Sequence, residues 1–252
     1  MADGVEVAIA IEGVVKRFGD KVALNRLDLT IPFGELFAFL GPNGAGKTTT
    51  IRMITGLLAP NEGAIRVCGH SMGSDGLAAK AQLAYVPDQP FLYEKLTGRE
   101  FLMFVAEMYG IERKRRDERM EMLNDRLDMA DFLDRLAGGY SHGMKQRVVL
   151  AAALLHDPKV LVVDEPMVGL DPRTVRRVKD LFVELTRQGG AVFMSTHTLE
   201  VAEAVADRIG IIHQANLIAV GTLEELRRRA TRQNSLEAIF LELTEEGQPV
   251  LE

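Results

Sequence analysis

Residues Leu36 to Thr48 read LFAFLGPNGAGKT, and this stretch decides the fold. Five apolar residues with no polar alternation suit a strand buried on both faces, the habit of parallel sheets. That strand runs into Gly41-Pro42-Asn43-Gly44-Ala45-Gly46-Lys47-Thr48, which fits the pattern G-x-x-x-x-G-K-[ST]. Glycines let the backbone curl so that successive N–H groups converge on one phosphate chain. The helix expected to follow adds the partial positive charge of its N-terminus. In this pattern Lys47 reaches the β- and γ-phosphates, Thr48 offers its hydroxyl to Mg²⁺, and Thr49 extends the cradle into the helix. The stretch reads as a nucleotide site on a strand–loop–helix unit.

Two more apolar runs lie further along, Val160–Val163 and Ala191–Met194, and each ends in chemistry. The first, VLVVDEP, leaves Asp164 and Glu165 at the strand's end. The second runs into Ser195-Thr196-His197. Open α/β sheets collect ligands at the C-terminal ends of their strands. Alone, an Asp-Glu pair there is more often a cap or loop feature, and His197 an ordinary core or capping histidine. Beside a phosphate loop, Asp164 reads as a Mg²⁺ ligand. Glu165 then orients or deprotonates the attacking water, and His197 contacts the γ-phosphate.

The remaining segments frame these strands. Val7 to Thr30 is β-rich and broken by Gly19-Asp20, which predicts an antiparallel hairpin or meander. Arg208 to Val220 predicts a second hairpin, with its turn near Gln214-Ala215-Asn216. Thr97-Gly98-Arg99-Glu100 and Thr222-Leu223-Glu224-Glu225 are capping-box patterns that open helices. Asp171-Pro172 supplies an N-cap followed by an N1 proline, and Gly189-Gly190 closes that helix. From Ile111 to Leu136 the chain is heavily charged. Met120, Leu123, Leu127, Phe132 and Leu136 recur there at roughly helical spacing, so the charges read as a solvated helical face. Tyr140-Ser141-His142-Gly143-Met144-Lys145-Gln146-Arg147 precedes an apolar helix at Val148 to Leu155, with Ser141 as its cap. Taken alone, that is a plain N-cap.

The bulk numbers narrow the class. With 252 residues, 47% hydrophobic and 26% charged, the chain can bury a substantial core beneath a polar surface. A net charge of −6 argues against a general footprint for nucleic acid. The single cysteine, Cys68, excludes an intramolecular disulfide and a cysteine-only metal site. No basic-then-apolar leader follows Met1, and no apolar run approaches the roughly 18 residues a membrane span needs. The expected location is cytoplasmic, with any membrane link supplied by a partner.

Taken in order, these motifs resemble the nucleotide-binding subunit of an ABC transporter over about residues 5 to 222. GPNGAGKT resembles Walker A and YSHGMKQR the signature motif. VLVVDEP resembles Walker B, Gly169-Leu170-Asp171-Pro172 the D-loop, and STH the switch histidine. The resemblance implies an α/β P-loop NTPase fold. It would have a RecA-like parallel-sheet core, an antiparallel β subdomain, and a helical subdomain at about 90–140. An ABC ATPase domain spans 1–222 on this reading, followed by a C-terminal helical extension at 223–252. ATP and Mg²⁺ are the implied cofactors, with Phe18 at the family's adenine-stacking position. The implied partners are a transmembrane permease subunit and a second nucleotide-binding subunit, a second copy forming a homodimer on ATP binding or else a homologue. Each ATP would lie between Walker A of one copy and Ser141 with Gly143 of the other. The tail Ser235–Leu243 resembles ABC-2-type subunits, typically exporters.

Two departures from the family pattern stand out. The usual leucine-serine-glycine-glycine is Tyr140-Ser141-His142-Gly143 here, with His142 expected to point to solvent. In Ala84-Tyr85-Val86-Pro87-Asp88-Gln89-Pro90-Phe91, Asp88 holds the position of the Q-loop glutamine. Neighbouring side chains on an extended backbone point opposite ways, so only one of Asp88 and Gln89 can face the site. Alignment favours Asp88, a carboxylate suited to a hard cation. Phe91, Leu92 and Tyr93 after this loop are candidates for contacting a coupling helix of the permease.

Overall fold

The computed structural model describes residues 6–229. The chain first lays down β1 (Val7–Phe18), β2 (Lys21–Pro32), β3 (Leu36–Leu40), α1 (Lys47–Ile54), β4 (Glu62–Val67) and β5 (His70–Ser71). Next come α2 (Gly76–Ala81), β6 (Leu83–Val86), α3 (Gly98–Met108), α4 (Arg113–Leu127), α5 (His142–Leu154) and β7 (Val160–Asp164). It finishes with α6 (Pro172–Arg187), β8 (Ala191–Thr196), α7 (Leu199–Val205), β9 (Arg208–His213), β10 (Asn216–Gly221) and α8 (Leu223–Arg229). Two sheets result. One is antiparallel, in the order β2-β1-β4-β5. The other has six strands in the order β10-β9-β3-β8-β7-β6, parallel except where β10 pairs with β9.

The apolar runs form the centre of the parallel sheet because every residue of β3, β7 and β8 is buried. Their alternation sorts side chains into two cores, as the period of 2 in a strand requires. Phe37, Phe39, Val160, Val162 and Phe193 face the antiparallel sheet and α1. Leu36, Ala38, Leu40, Leu161, Val163, Val192 and Met194 face the helices. On the first side the rings of Phe37, Phe39 and Phe193 meet at centroid distances of 5.4 to 6.5 Å. Those separations suit offset or tilted aromatic packing.

The turn and cap chemistry falls where the sequence places it. Gly19 takes a left-handed φ of 56° in the β1–β2 turn, while Gln214 and Ala215 do so between β9 and β10. Thr97 and Glu100 close a reciprocal capping box on α3. Thr222 and Glu225 exchange the same pair of bonds at 2.8 and 3.2 Å ahead of α8. Asp171 caps α6 through the N–H groups of Arg173 and Thr174.

The charged region differs from its sequence reading. The helical spacing from Ile111 to Leu136 ends early, because α4 stops at Leu127 and Asp128 adopts a left-handed cap at φ 54°. Phe132 is still buried, but in the return segment, and Leu136 is exposed beside its bridge to Thr97. A left-handed C-cap ends a helix whatever apolar spacing follows it. The apolar helix expected at Val148 to Leu155 starts six residues sooner, at His142, directly after the Ser141 cap. Of the C-terminal extension at 223–252, α8 is described. The exporter-like tail at 235–243 lies outside the described residues.

Candidate active site

The phosphate loop joins β3 to α1, and close packing explains two of its glycines. A Cβ on Gly41 would lie 2.3 Å from the Ile212 carbonyl oxygen. One on Gly46, at φ 121°, would lie 2.8 Å from that of Ala23. The loop is thus pinned against β2 and β9, and α1 begins at Lys47 with no acidic residue in its first turn. Pro42, Asn43, Gly44 and Ala45 complete the bend, Ala45 donating its N–H to the Pro42 carbonyl at 3.2 Å. Such a helix end presents unpaired N–H groups and positive potential to an anion.

A cavity of about 300 Å³ opens over this loop. Its lining includes Asn43, Gly44, Gly46, Lys47, Thr48 and Thr49 from the loop and α1, with Asp164 and Glu165 from the end of β7. Phe18, Lys21 and Ala23 line it from the antiparallel hairpin, and Asp88 from the loop after β6. Gln89 does not line it. The Phe18 ring is half exposed and carries the Lys16 ammonium 5.2 Å from its centroid. An exposed flat ring beside a cation is able to stack on a nucleobase.

In the cavity wall and just behind it, the charged groups are bound to one another; His197 itself is not part of the lining. The Lys47 ammonium donates to the Gly41 carbonyl at 2.7 Å and lies 3.7 Å from Glu165 Oε1. Burial pulls the Lys47 pKa below its ordinary value, opposed by the nearby Glu165 and Asp164 carboxylates. The His197 ring places Nδ1 2.8 Å from the same Glu165 oxygen. Glu165 takes a left-handed φ of 49°, a costly conformation for a residue with a Cβ. Thr48 Oγ1 donates to Asp164 Oδ2 at 3.1 Å. The hydroxyl of Ser195 donates to the other oxygen, Asp164 Oδ1.

Ser141 and Gly143 stand apart, at the N-terminus of α5 and outside the cavity lining. Ser141 caps the helix by accepting from the Met144 N–H at 3.3 Å. Tyr140, where the family pattern has leucine, anchors this corner. Its hydroxyl accepts from the Gly98 N–H at 3.0 Å and donates to the Phe132 carbonyl at 2.8 Å. His142 is solvent-exposed, as the sequence reading expects, and its ring also lies against a neighbouring loop. Its Cδ2 would lie 2.9 Å from a Cβ on Gly169, whose φ is +72°. The ring therefore covers the backbone of the loop that leads from Glu165 to α6.

Leu92 departs from expectation. It is buried in the core, whereas Phe91 and Tyr93 on either side are exposed. These two rings pack edge to face at 5.8 Å, and Tyr93 reaches Phe104 of α3 at 5.9 Å. The sequence reading missed Lys21 and Ala23 as lining residues, and missed Ser195. Only sheet register signals the last, since Asp164 of β7 pairs with Ser195 of β8.

Comparisons with known proteins place the family and the fold. The family model described as ABC transporter matches residues 24–168. The chain is 39% identical over 222 residues to the daunorubicin resistance ATP-binding protein DrrA3 of Streptomyces coeruleorubidus. That match covers 88% of this chain and 70% of the relative. It is 36% identical over 217 residues to the Nod factor export ATP-binding protein I of Rhizobium sp. (strain N33), covering 86% and 71%. A solved structure described as the ATP binding subunit of an ABC transporter superposes with a TM-score of 0.88 at 32% identity. It covers 94% of this chain and 99% of that one.

Proposed function

This chain belongs to the ABC transporter family as an ATP-binding, ATP-hydrolysing subunit, and we propose that two copies sandwich Mg²⁺–ATP and power export through a partner permease. The observation that carries this reading is the Lys47–Glu165–His197 cluster, in which Lys47 and Glu165 line the phosphate cavity and His197 reaches Glu165 from outside its lining. The relatives named for drug resistance and Nod factor export support an outward direction.

Oxygen donors suit a hard cation, and Thr48 and Asp164 place two of them 3.1 Å apart with Asp88 on the same cavity. Among the described residues no cluster of three or more His, Cys, Asp or Glu forms a metal cage. A shell shared with phosphate oxygens and water is what such a pair leaves room for. Mg²⁺ held there would neutralise charge on the phosphates. Lys47 exchanges its carbonyl and carboxylate partners for phosphate oxygens, which frees Glu165. Glu165 then accepts the hydrogen bond of the attacking water and takes its proton. His197 holds the γ-phosphate on the far side. Phe18 stacks on adenine, and the loop N–H groups of Gly44 to Thr49 bind the phosphate chain. Ser141 and Gly143 of the second copy close over the γ-phosphate with the open end of α5.

No helix among the described residues is long and apolar enough to cross a membrane. Attachment to the cytoplasmic face would therefore run through the permease. Phe91, Tyr93 and Phe104 offer the exposed aromatic face for that contact. Phosphate release by the purified chain tests the central claim. The wild-type should turn over Mg²⁺–ATP, while Glu165→Gln should bind it, accumulate as a dimer and lose nearly all turnover. Full turnover in the variant refutes Glu165 as the base.

A further inference from the structure

Ser195 has no part in the scheme above, yet it is fully buried and touches both carboxylate residues of the site. It sits on β8 in register with Asp164 on β7. Its hydroxyl donates to Asp164 Oδ1, which leaves Oδ2 turned toward the Thr48 hydroxyl at 3.1 Å. The same hydroxyl oxygen lies 3.3 Å from the Glu165 N–H, and the Ser195 carbonyl lies 3.2 Å from it. One residue thus fixes a side chain and, independently, the backbone of its neighbour.

Both constraints matter physically. A carboxylate has a broad terminal torsion, so an unrestrained Asp164 would present either oxygen to a cation, or neither. A donor on Oδ1 selects the orientation in which Oδ2 faces the cavity. Glu165 is left-handed at φ 49°, a state that persists only where its surroundings over-determine it. The shared N–H bond to the Ser195 hydroxyl and carbonyl supplies that restraint exactly one residue after Asp164. Ser195→Ala removes both contacts of the hydroxyl and keeps only the carbonyl contact to the Glu165 N–H.

We propose that Ser195 is a positioning residue for the metal-binding and water-activating carboxylates, acting through its hydroxyl on Asp164 and on the Glu165 backbone. This rests on the reading of Asp164 as a cation ligand and Glu165 as the base. Partners of ligating carboxylates are typically worth about 10- to 100-fold in metal affinity or activity. Ser195 is not expected to touch ATP, so nucleotide affinity without Mg²⁺ stays at the wild-type value when it is changed.

The test titrates Mg²⁺ into the full chain with a fluorescent ATP analogue and reads the midpoint of tightened binding, alongside kcat and thermal melting. Ser195→Ala should raise the Mg²⁺ midpoint about tenfold and lower kcat about 10- to 100-fold. Binding of the analogue in EDTA should be unchanged. Asp164→Asn serves as the reference for loss of the cation ligand. If Asp164→Asn moves the midpoint and Ser195→Ala does not, the positioning role is overturned and the metal site stands. If neither moves it, the metal assignment of Asp164 falls, and this inference falls with it. Ser195→Cys, nearly isosteric but a much weaker donor, should lie between wild-type and alanine. A cysteine variant with wild-type midpoint and kcat overturns the proposal even where the alanine variant is unstable.

Discussion

Lys47 has three oxygens within 3.7 Å, all from its own chain: the carbonyls of Gly41 and Pro42 and one carboxylate oxygen of Glu165. At the N-terminus of α5 the Ser141 hydroxyl holds the Met144 N–H, and Ser141 and His142 are exposed, with His142 lying against Gly169. Both are helix beginnings without acidic first turns, and both suit phosphate by the same dipole and N–H argument. One is sealed by an ionic network, and the other is unsealed. On the proposed reading, the difference means that the sealed end would bind nucleotide by exchanging partners, while the open end would gain a phosphate only when one is brought to it. One chain would then hold two unlike halves of a site.

Removing the network's centre is the most severe way to break this comparison. Lys47→Ala should weaken Mg²⁺–ATP binding by at least about 100-fold, since a charge-assisted contact to phosphate is lost along with the network. Equilibrium binding of a fluorescent nucleotide measures it. Wild-type affinity would mean that the sealed end does not grip the phosphates.

Ser141→Asp attacks the open end alone. Aspartate is as good an N-cap as serine, so the melting temperature should stay within about 2 °C. Its charge should nevertheless repel an incoming γ-phosphate. Single-chain ATP affinity is expected to stay unchanged, while turnover falls roughly 100-fold and the ATP-dependent dimer disappears from gel filtration. Undiminished turnover would show that the open end never meets nucleotide.

Asp88→Gln sharpens the sealed half. Aspartate at the cavity wall adds a carboxylate that a phosphate tolerates only beside a cation. The glutamine variant should need more Mg²⁺, with the midpoint for hydrolysis a few-fold higher, because the cation loses a charged oxygen neighbour. An identical midpoint removes Asp88 from the cation's surroundings, and a loss confined to Gln89→Ala would assign the role to Gln89. The smallest effect is expected at Thr97→Ala, outside both halves. It should cost about 1 kcal/mol through the α3 capping box, or roughly 2–4 °C in melting temperature, with ATP affinity unmoved.

Much of this molecule is legible in a single sequence because its signals are short-ranged. The wholly apolar runs at Leu36–Leu40, Val160–Val163 and Ala191–Met194 announce strands covered on both faces. The glycine pattern of Gly41–Thr48 has few other uses. The caps at Thr97, Asp171 and Thr222 depend on bonds three residues long or shorter. Where a signal competes with a local conformation, the sequence misleads. Apolar spacing past Leu127 continues, but the left-handed Asp128 ends α4 regardless.

The sequence by itself determined the apolar strands β3, β7 and β8, the two hairpins, the phosphate loop and the caps, each from residue type within one turn or one strand. It singled out Asp164, Glu165 and His197 only because a phosphate loop lies elsewhere in the same chain. Only the tertiary structure decided that Asp88 rather than Gln89 lines the cavity, that His142 covers Gly169, and that Ser195 grips Asp164 and Glu165 together. The last two of these join residues 27 to 31 positions apart in the chain, and the cavity gathers residues from four separate segments. Sheet register and the packing of whole elements set them, because a side chain's partners across a sheet depend on how two strands align over their full length.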